Sequence, residues 1–184
     1  KISIPHKRKK YNHKRHHLSQ NNDFFYIQSW EIMKEDFSYG VIPLMKKDNQ
    51  WHTIMIKLSS WNHRWLPKWH PNPWETILET AIRELREETG LSIESEQVNT
   101  SILYKEQYEF FHPKKNDTIL KTVWYYTVNI PYTDILMLKG YSEWDGEILD
   151  KKIVSLTEAI ALATYDATRW ILEDLYHNLE NIQE

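Results

Sequence analysis

Residues 66–91, LPKWHPNPWETILETAIRELREETGL, contain the strongest structural signals of the sequence. The second half of this stretch is rich in acidic side chains and ends at Gly90, a residue type favoured just after a helix. We therefore predict a helix over residues 73–89, with Asn72 as its N-cap and Pro73 in its first turn. Apolar residues at i, i+4 spacing form one stripe, which we expect to face a sheet. This stripe comprises Ile77, Leu78, Ala81, Ile82 and Leu85.

Three glutamates lie on the other side of the predicted helix. Glu84, Glu87 and Glu88 are three and four residues apart, so their carboxylates are neighbours. Like charges at this spacing destabilise a helix by about 0.2–0.5 kcal/mol per pair, and the C-terminal end of the helix dipole also disfavours anions. Such runs are often only a solvated face, and Arg83 and Arg86 can offset part of the charge. A bound divalent cation would offset more, because Mg²⁺ takes oxygen ligands from carboxylates and substrate phosphates.

The spacing of residues 75–91 resembles the Nudix box, the signature of Nudix hydrolases. In that pattern a glutamate is followed, after seven residues, by Arg-Glu, an aliphatic residue, any residue, Glu-Glu, any residue, glycine and an aliphatic residue; every position from Glu75 to Leu91 matches. The sequence LPK followed by His70 is also similar to the Leu-Pro-Lys-Gly-His segment of many Nudix hydrolases. The resemblance extends more weakly over residues 37–160.

This resemblance implies a Nudix fold, an α/β/α sandwich that has a mixed β-sheet and a loop–helix–loop catalytic motif. Members of the family hydrolyse a nucleoside diphosphate linked to some further moiety, and they use Mg²⁺ or Mn²⁺. The LPK-x-H segment is similar to that of hydrolases that cleave diadenosine tetraphosphate asymmetrically, which favours a dinucleoside polyphosphate or a nucleoside triphosphate as substrate. Two alternatives stay open: removal of pyrophosphate from RNA 5′ ends, and a Nudix-fold module that binds nucleotide or RNA without catalysis.

The resemblance also assigns roles to residues of the box. It implies that Glu84, Glu87 and Glu88 ligate the metal, with Glu88 central. One of them, for instance Glu84, would orient or deprotonate the attacking water. Arg83 would orient these glutamates through a salt bridge, and Glu75 would hold the loop in place.

Further site residues are expected outside the box. Many family members use one more carboxylate, for which Glu147 is the first candidate and Glu106 and Glu109 are alternatives; each is also consistent with an ordinary surface glutamate. Lys68 and His70 are candidates for contacts with substrate phosphate, although loop residues of these types are often merely solvated. Aromatic side chains on two predicted strands belong mostly to packing, while one or two of them could stack a base. These are Tyr104, Tyr108, Phe110, Phe111, Trp124 and Tyr126.

Tryptophan stands at positions where the family pattern has glycine. Trp69 takes the place of the first box glycine, Trp74 precedes the box glutamate, and Trp65 occupies a third such position. Glycine reaches φ > 0 and lets backbone approach a ligand closely, whereas tryptophan does neither at low cost. The backbone carbonyl of Trp69 could still ligate metal, as the glycine carbonyl does in relatives. Because the chain has four glycines and nine tryptophans, one hypothesis is that UGA codons of the source organism encode glycine; a divergent loop is the alternative.

The rest of the chain predicts one α/β domain with a mixed sheet. Strands are predicted over residues 38–45 and 52–60 around a KKDNQ turn, over 91–94, over 102–111 and 118–130 around an HPKKND loop, and over 148–154. Residues 24–33 are also strand-like. Ser155 is expected to cap one helix and Asp166 a final one. The apolar stripe of the final helix is predicted to comprise Trp170, Ile171 or Leu172, Leu175 and Leu179.

Length and composition fit one domain at residues 23–184, preceded by a basic tail at residues 1–22. Residues 1–20 carry seven Lys or Arg and no acid, so we expect either a poorly ordered, solvated tail or an arm attracted to nucleic acid, such as RNA, or to another polyanion. Without cysteine, no disulfide or thiolate metal site can form. No apolar run reaches the length of a bilayer and no signal-peptide pattern is present, which is compatible with a cytoplasmic protein.

Overall fold

A mixed β-sheet occupies the centre of the fold. The computed structural model describes residues 34–58, 64–132 and 148–180, which belong to one compact unit, Met33–Glu184. Four features of the sequence analysis lie outside the described residues: the basic tail, the strand-like residues 24–33, the domain boundary at residue 23, and Glu147.

Within the described residues the sheet has six strands: β1 (Lys34–Lys47), β2 (Gln50–Leu58), β3 (Arg64–Trp65), β4 (Val98–His112), β5 (Asp117–Pro131) and β6 (Ile148–Ser155). Their order is β3-β2-β1-β5-β4, and β6 pairs with β2. β1 and β5 are parallel, whereas the other pairs are antiparallel. The helices are α1 (Ile77–Thr89), α2 (Leu156–Leu162) and α3 (Asp166–Glu180), and a 3₁₀ turn spans Ser95–Gln97. None of these helices is both long and apolar enough to cross a membrane.

Helices cover both faces of the sheet. On β1, Val41 belongs to the same buried cluster as Leu85 of α1, whereas Ile42 belongs to the cluster of Leu172 of α3. Because successive side chains of a strand point to opposite faces, α1 and α3 lie on opposite sides of β1. Residues 40–45 of β1 are accordingly all buried, a run typical of a strand covered on both faces. The mixed α/β architecture predicted from the sequence is therefore confirmed.

Short polar turns join the hairpins. Asp48 and Asn49, between β1 and β2, have φ of 49° and 61°. Asp and Asn tolerate this left-handed conformation, which the common two-residue hairpin turns require. Asn116 takes a similar φ of 48° between β4 and β5. Both predicted hairpin loops are thus confirmed, although β4 begins earlier than predicted, at Val98.

The start of α1 differs from the prediction. The helix begins at Ile77, and its N-cap is Thr76 rather than Asn72. Thr76 and Glu79 form a capping box: the backbone N–H of Glu79 donates to Thr76 Oγ1 at 3.2 Å, and that of Thr76 donates to Glu79 Oε2 at 2.8 Å. The preceding residues form a separate turn, in which Glu75 N–H donates to the Asn72 carbonyl at 3.0 Å. The predicted end holds, because Gly90 has a φ of 85°.

Two other expectations for the secondary structure are wrong. Residues 91–94 form no strand and lead instead into the 3₁₀ turn. Trp170 is 67% exposed and lies outside the apolar stripe of α3, because Ile171, Leu172 and Leu175 fill the side that faces the sheet. The predicted cap of α2 is confirmed, since Ser155 Oγ accepts a hydrogen bond from the backbone N–H of Glu158 at 3.2 Å.

Candidate active site

The loop of residues 66–70 is pinned against β1. Tyr39 N–H donates to the carbonyl of Trp69 at 3.0 Å, and Trp69 N–H donates to the carbonyl of Tyr39 at 3.2 Å. The neighbouring strand residue is Gly40, where a Cβ atom would lie 2.1 Å from the carbonyl oxygen of Pro67. Only glycine allows the loop to approach this closely. The sequence therefore fixes the loop at a defined place beside α1.

Arg83 connects this loop to the carboxylates of α1. Its Nε and Nη2 atoms donate to the two carboxylate oxygens of Glu75 at 2.6 and 2.9 Å. Its Nη1 atom donates to Glu84 at 2.5 Å and to Glu87 at 2.8 Å, and Nη2 also donates to the carbonyl of His70 at 3.2 Å. The structure thus brings together the arginine and three glutamates that the resemblance groups. The bidentate geometry is the strong form of an Arg–carboxylate pair.

Glu75 is held on several sides. Besides Arg83, its carboxylate accepts hydrogen bonds from the backbone and side-chain N–H groups of Asn72, both at 3.0 Å, and from the hydroxyl of Thr80 at 3.1 Å. The hydrogen bonds from Arg83 are the main reason why the pKa of Glu75 is lowered to about 2. Glu75 therefore stays ionised and ties the turn before α1 to the helix.

Glu84 and Glu88 are buried, although the charge pattern alone allows a solvated face. They lie one helical turn apart, and burial raises the pKa of Glu84 to about 7 despite the opposing charge of Arg83. Burial also raises the pKa of Glu88, and the nearby charge of Glu84 adds to this effect. The backbone N–H of Lys68 donates to Glu88 Oε2 at 2.8 Å and partly compensates. The solvated-face interpretation is wrong for these two carboxylates, whereas Glu87 is only half-buried.

The donor chemistry of this pair fits a hard divalent cation. Two carboxylates buried side by side with raised pKa values are short of positive charge, and oxygen ligands are what Mg²⁺ and Mn²⁺ prefer. Within the described residues, no three His, Asp or Glu side chains are grouped closely enough to hold a metal ion. Arg83 instead donates to Glu84 and Glu87. A cation at Glu84 and Glu88 would therefore compete with Arg83.

Within the described residues, the other predicted metal ligands are the Trp69 carbonyl, Glu109 and Glu106, and each has a different environment from the Glu84–Glu88 pair. The carbonyl of Trp69 accepts the hydrogen bond from Tyr39, which occupies one of its two lone pairs. Glu109 is an exposed residue of β4. Glu106 is fully buried, and its oxygens accept hydrogen bonds from Lys68 Nζ at 2.9 Å, from the hydroxyl of Tyr125 at 3.1 Å and from the hydroxyl of Thr168. This environment does not present Glu106 to a metal ion.

Lys68 is buried rather than open to substrate. Its ammonium group forms an ion pair with Glu106, and it lies 5.7–5.8 Å from the ring centroids of Trp65, Tyr108 and Tyr125. The interior position follows from the loop, since its neighbours Leu66 and Pro67 are also buried. Lys68 therefore offers no exposed ammonium group to a phosphate, contrary to the expectation from the sequence.

His70 belongs to a charged cluster that the sequence analysis missed. Its Nε2 atom lies 2.8 and 3.0 Å from the carboxylate oxygens of Asp36, and Lys121 Nζ lies 2.9 Å from both Asp36 Oδ2 and His70 Nε2. Burial opposes ionisation of Asp36, but the hydrogen bonds from His70 and Lys121 outweigh it and hold its pKa below the usual value. Burial lowers the pKa of Lys121, with Asp36 opposing. The available signal was a lysine within a buried strand, KTVWYYTV.

One of the predicted aromatic candidates stacks on a residue that was not considered. The rings of Tyr108 and Tyr165 are parallel within 6°, and their centroids are 5.1 Å apart. Tyr165 lies just before α3, outside the two strands from which candidates were drawn. Of the others, Phe111 is exposed, and Trp124 lies beneath the ammonium group of Lys105 at 5.4 Å. Tyr108 pairs with Lys121 in the sheet, and Lys121 pairs with Asp36, so the stacked rings lie near this charged cluster.

The two loop tryptophans have ordinary backbones and exposed indoles. Among the described residues, positive φ occurs only at Asp48, Asn49, Asn116 and Gly90, so neither tryptophan requires a glycine conformation. Trp69 is nevertheless 43% exposed and Trp74 82% exposed, so neither indole is part of the core. The reading of UGA as glycine stays a prediction. The backbone at residues 69 and 74 permits tryptophan, but neither indole is buried in the core.

The comparisons with known proteins agree with this geometry. The sequence model of the NUDIX domain matches residues 37–175. The bis(5′-nucleosyl)-tetraphosphatase (asymmetrical) of the mouse, Mus musculus, is 35% identical over 86 residues, which are 46% of this chain and 56% of the mouse protein. The chain thus spans little more than half the length of that relative.

Solved structures show the same fold. The Ap4A hydrolase of C. elegans, in a binary complex, aligns with a TM-score of 0.60 at 21% identity and covers 79% of this chain and 98% of its own. The dihydroneopterin triphosphate pyrophosphohydrolase of E. coli aligns with a TM-score of 0.61 at 17% identity and covers 80% of this chain and 99% of its own. At these identities the likeness shows the fold alone. Together with the domain match, it establishes that the chain belongs to the Nudix family.

Proposed function

We propose that this chain is a pyrophosphohydrolase that uses Mg²⁺ or Mn²⁺ to cleave a nucleoside diphosphate linked to a further moiety. The observation that carries the proposal is the pair of buried carboxylates, Glu84 and Glu88, which lie one helical turn apart next to Arg83. Burying two like charges is costly unless they are paired or ligate a metal. The family to which the chain belongs supports the same chemistry.

The proposed metal ligands are Glu84, Glu87 and Glu88, with the carbonyl of Trp69 and the carboxylate of Glu147 as further candidates. A bound divalent cation would polarise the attacked phosphorus and lower the pKa of a bound water. Arg83 holds Glu84 and Glu87 in position from the side of the loop. Glu84, whose pKa of about 7 is near the operating pH, is suited to accept a proton from water.

The substrate proposed is a dinucleoside polyphosphate or a nucleoside triphosphate. The name of the mouse relative and the LPK-x-H segment support this class. Two structural features also support it. The half-exposed imidazole of His70, which contacts the buried ammonium group of Lys121, provides a nitrogen group for a phosphate, and the stacked rings of Tyr108 and Tyr165 provide a surface for a base.

A second candidate function is a Nudix-fold module that binds nucleotide without hydrolysing it. The observation in its favour is that exposed tryptophans occupy two box positions where relatives have glycine. Both candidates retain nucleotide binding, so binding alone does not separate them. Hydrolysis that requires the box glutamates does.

The test is a hydrolysis assay on a panel of diadenosine tetraphosphate, nucleoside triphosphates and RNA with a 5′-triphosphate, with Mg²⁺ or Mn²⁺. We expect metal-dependent release of mononucleotide from a dinucleoside polyphosphate, and loss of that release in Glu88→Gln. His70→Gln should weaken substrate binding, with His177→Gln at an exposed position of α3 as the control. Binding without hydrolysis would select the non-catalytic module, and hydrolysis confined to RNA would select the 5′-end reaction.

A further inference from the structure

Glu106 is a fully buried carboxylate whose hydrogen bonds join four parts of the fold. It lies on β4 and accepts hydrogen bonds from Lys68 of the 66–70 loop, from Tyr125 of β5 and from Thr168 of α3. A buried ion pair such as Glu106–Lys68 is weak evidence of stabilisation, because desolvation offsets most of its Coulomb energy. The arrangement therefore calls for an explanation other than stability.

The partner of Glu106 is also the residue that holds the central box glutamate. While Lys68 Nζ binds Glu106 at 2.9 Å, the backbone N–H of Lys68 donates to Glu88 Oε2 at 2.8 Å. One residue thus connects the two carboxylates through its side chain and its backbone. Within the described residues, the other carboxylate oxygen of Glu88 accepts no hydrogen bond, so it stays available to a ligand.

We propose that Glu106 is a positioning residue that acts on Glu88 through Lys68. The Glu106–Lys68 ion pair fixes the Lys68 side chain in its aromatic surroundings, and this fixes the peptide N–H that aims Glu88. Residues in this outer shell orient metal-ligating side chains, and their loss typically weakens metal binding about 10- to 100-fold. The inference rests on the proposed function, because it takes Glu88 to be a metal ligand.

Mn²⁺ binding to the purified full chain, followed by titration calorimetry and by the spectrum of bound Mn²⁺, tests this inference without an activity assay. Glu106→Gln removes the charge that holds Lys68 and should raise the Kd for Mn²⁺ about 10- to 100-fold. In the Glu88→Gln background the same substitution should have no further effect, because the residue through which it acts is gone.

Two further variants keep the test independent of folding. Lys68→Met places an apolar side chain of similar length among the rings and should weaken Mn²⁺ binding as Glu106→Gln does, with no additional loss in the double variant. Thr168→Val removes one hydrogen bond from Glu106 but leaves the ion pair, so it should have a smaller effect in the same direction. Val98→Ala and Ile54→Val are the controls: they should lower Tm through buried clusters that contain none of the residues of this network.

The outcomes separate the inference from the proposed function. If the wild type binds Mn²⁺ through Glu88 while Glu106→Gln and Lys68→Met bind as tightly as the core variants do, the positioning role is wrong and the proposed function stands. An equal loss in the presence and absence of Glu88 would also overturn the role, because the effect would then not pass through Glu88. If the wild type binds no Mn²⁺, or binds it independently of Glu88, both proposals fail.

Discussion

The raised pKa of Glu84 predicts an unusual dependence of stability on pH. In the folded protein this buried carboxyl holds its proton up to about pH 7, whereas in the unfolded chain its pKa is near the ordinary 4.5. Between these pH values the folded state binds more protons than the unfolded state. The free energy of unfolding therefore falls as pH rises through this window.

The size of the effect follows from the two pKa values. A separation from 4.5 to about 7, at about 1.4 kcal/mol per pH unit, corresponds to about 3 kcal/mol of stability lost across the window. Glu88 changes stability in the same direction, because its pKa is also raised. Glu75 does not affect stability in this pH window. Its pKa is lowered to about 2, so its contribution to the stability of the folded protein is lost only as pH falls below 4.5.

The assay is urea unfolding of the metal-free protein at a series of pH values from 4.5 to 8, with Glu84→Gln as the comparison. Wild-type stability should decline over this range, and the decline should be smaller in Glu84→Gln, which carries no titrating group at this position. Saturating Mg²⁺ or Mn²⁺ should also reduce it, because a cation favours the ionised carboxylates. Stability that rises with pH through this range, or an identical slope in Glu84→Gln, would refute the reasoning.

Three other changes have defined expectations. Thr76→Ala removes the capping box of α1 and should cost about 1 kcal/mol in urea unfolding, with exposed Thr100→Ala as the neutral control; equal losses would contradict the cap assignment. Gly40→Ala places a methyl group against the carbonyl of Pro67 and should weaken Mn²⁺ binding by displacing the 66–70 loop, so unchanged binding would speak against that close approach. Trp69→Gly should raise metal-dependent hydrolysis if the native codon encodes glycine, whereas lower activity would favour a loop built for tryptophan.

The start of α1 shows why local signals were only partly sufficient. The sequence contains two caps, Asn72 followed by Pro73, and Thr76 followed three residues later by Glu79. The second is a complete capping box, and it is the one that the fold uses. Asn72 does not cap the helix, because Arg83 and Asn72 both donate hydrogen bonds to Glu75 and residues 72–75 form a turn of their own. The Arg83–Glu75 interaction could not be read from the local sequence of the cap, because Arg83 lies eight residues after Glu75.

The site was predictable in its residues but not in its burial. Helical spacing places Glu84, Glu87 and Glu88 together, and the family pattern adds Arg83. The sequence pattern does not reveal that Glu84 and Glu88 are buried. Part of the surface that buries them is the 66–70 loop, whose Lys68 N–H donates to Glu88.

The burial of Lys68 also could not be predicted from the local sequence, because it depends on a residue that is distant along the chain. Its partner Glu106 lies 38 residues away and reaches it only after β4 has joined the sheet. The Asp36–Lys121 pair likewise forms between β1 and β5, whose parallel pairing sets Asp36 opposite Lys121. Long-range pairing of strands, rather than motif spacing, determines which charges meet.

Hydrolysis of diadenosine tetraphosphate by the wild type and by Glu88→Gln, with Mg²⁺ and without it, tests the central claim most directly. Products are to be separated by chromatography, and both proteins must be shown to be equally folded. The wild type should release mononucleotide only when the metal is present, and Glu88→Gln should be slower by more than about 100-fold, beyond the loss expected for an outer-shell residue. Hydrolysis that continues unchanged in Glu88→Gln, or without any divalent metal, would contradict the assignment of this site.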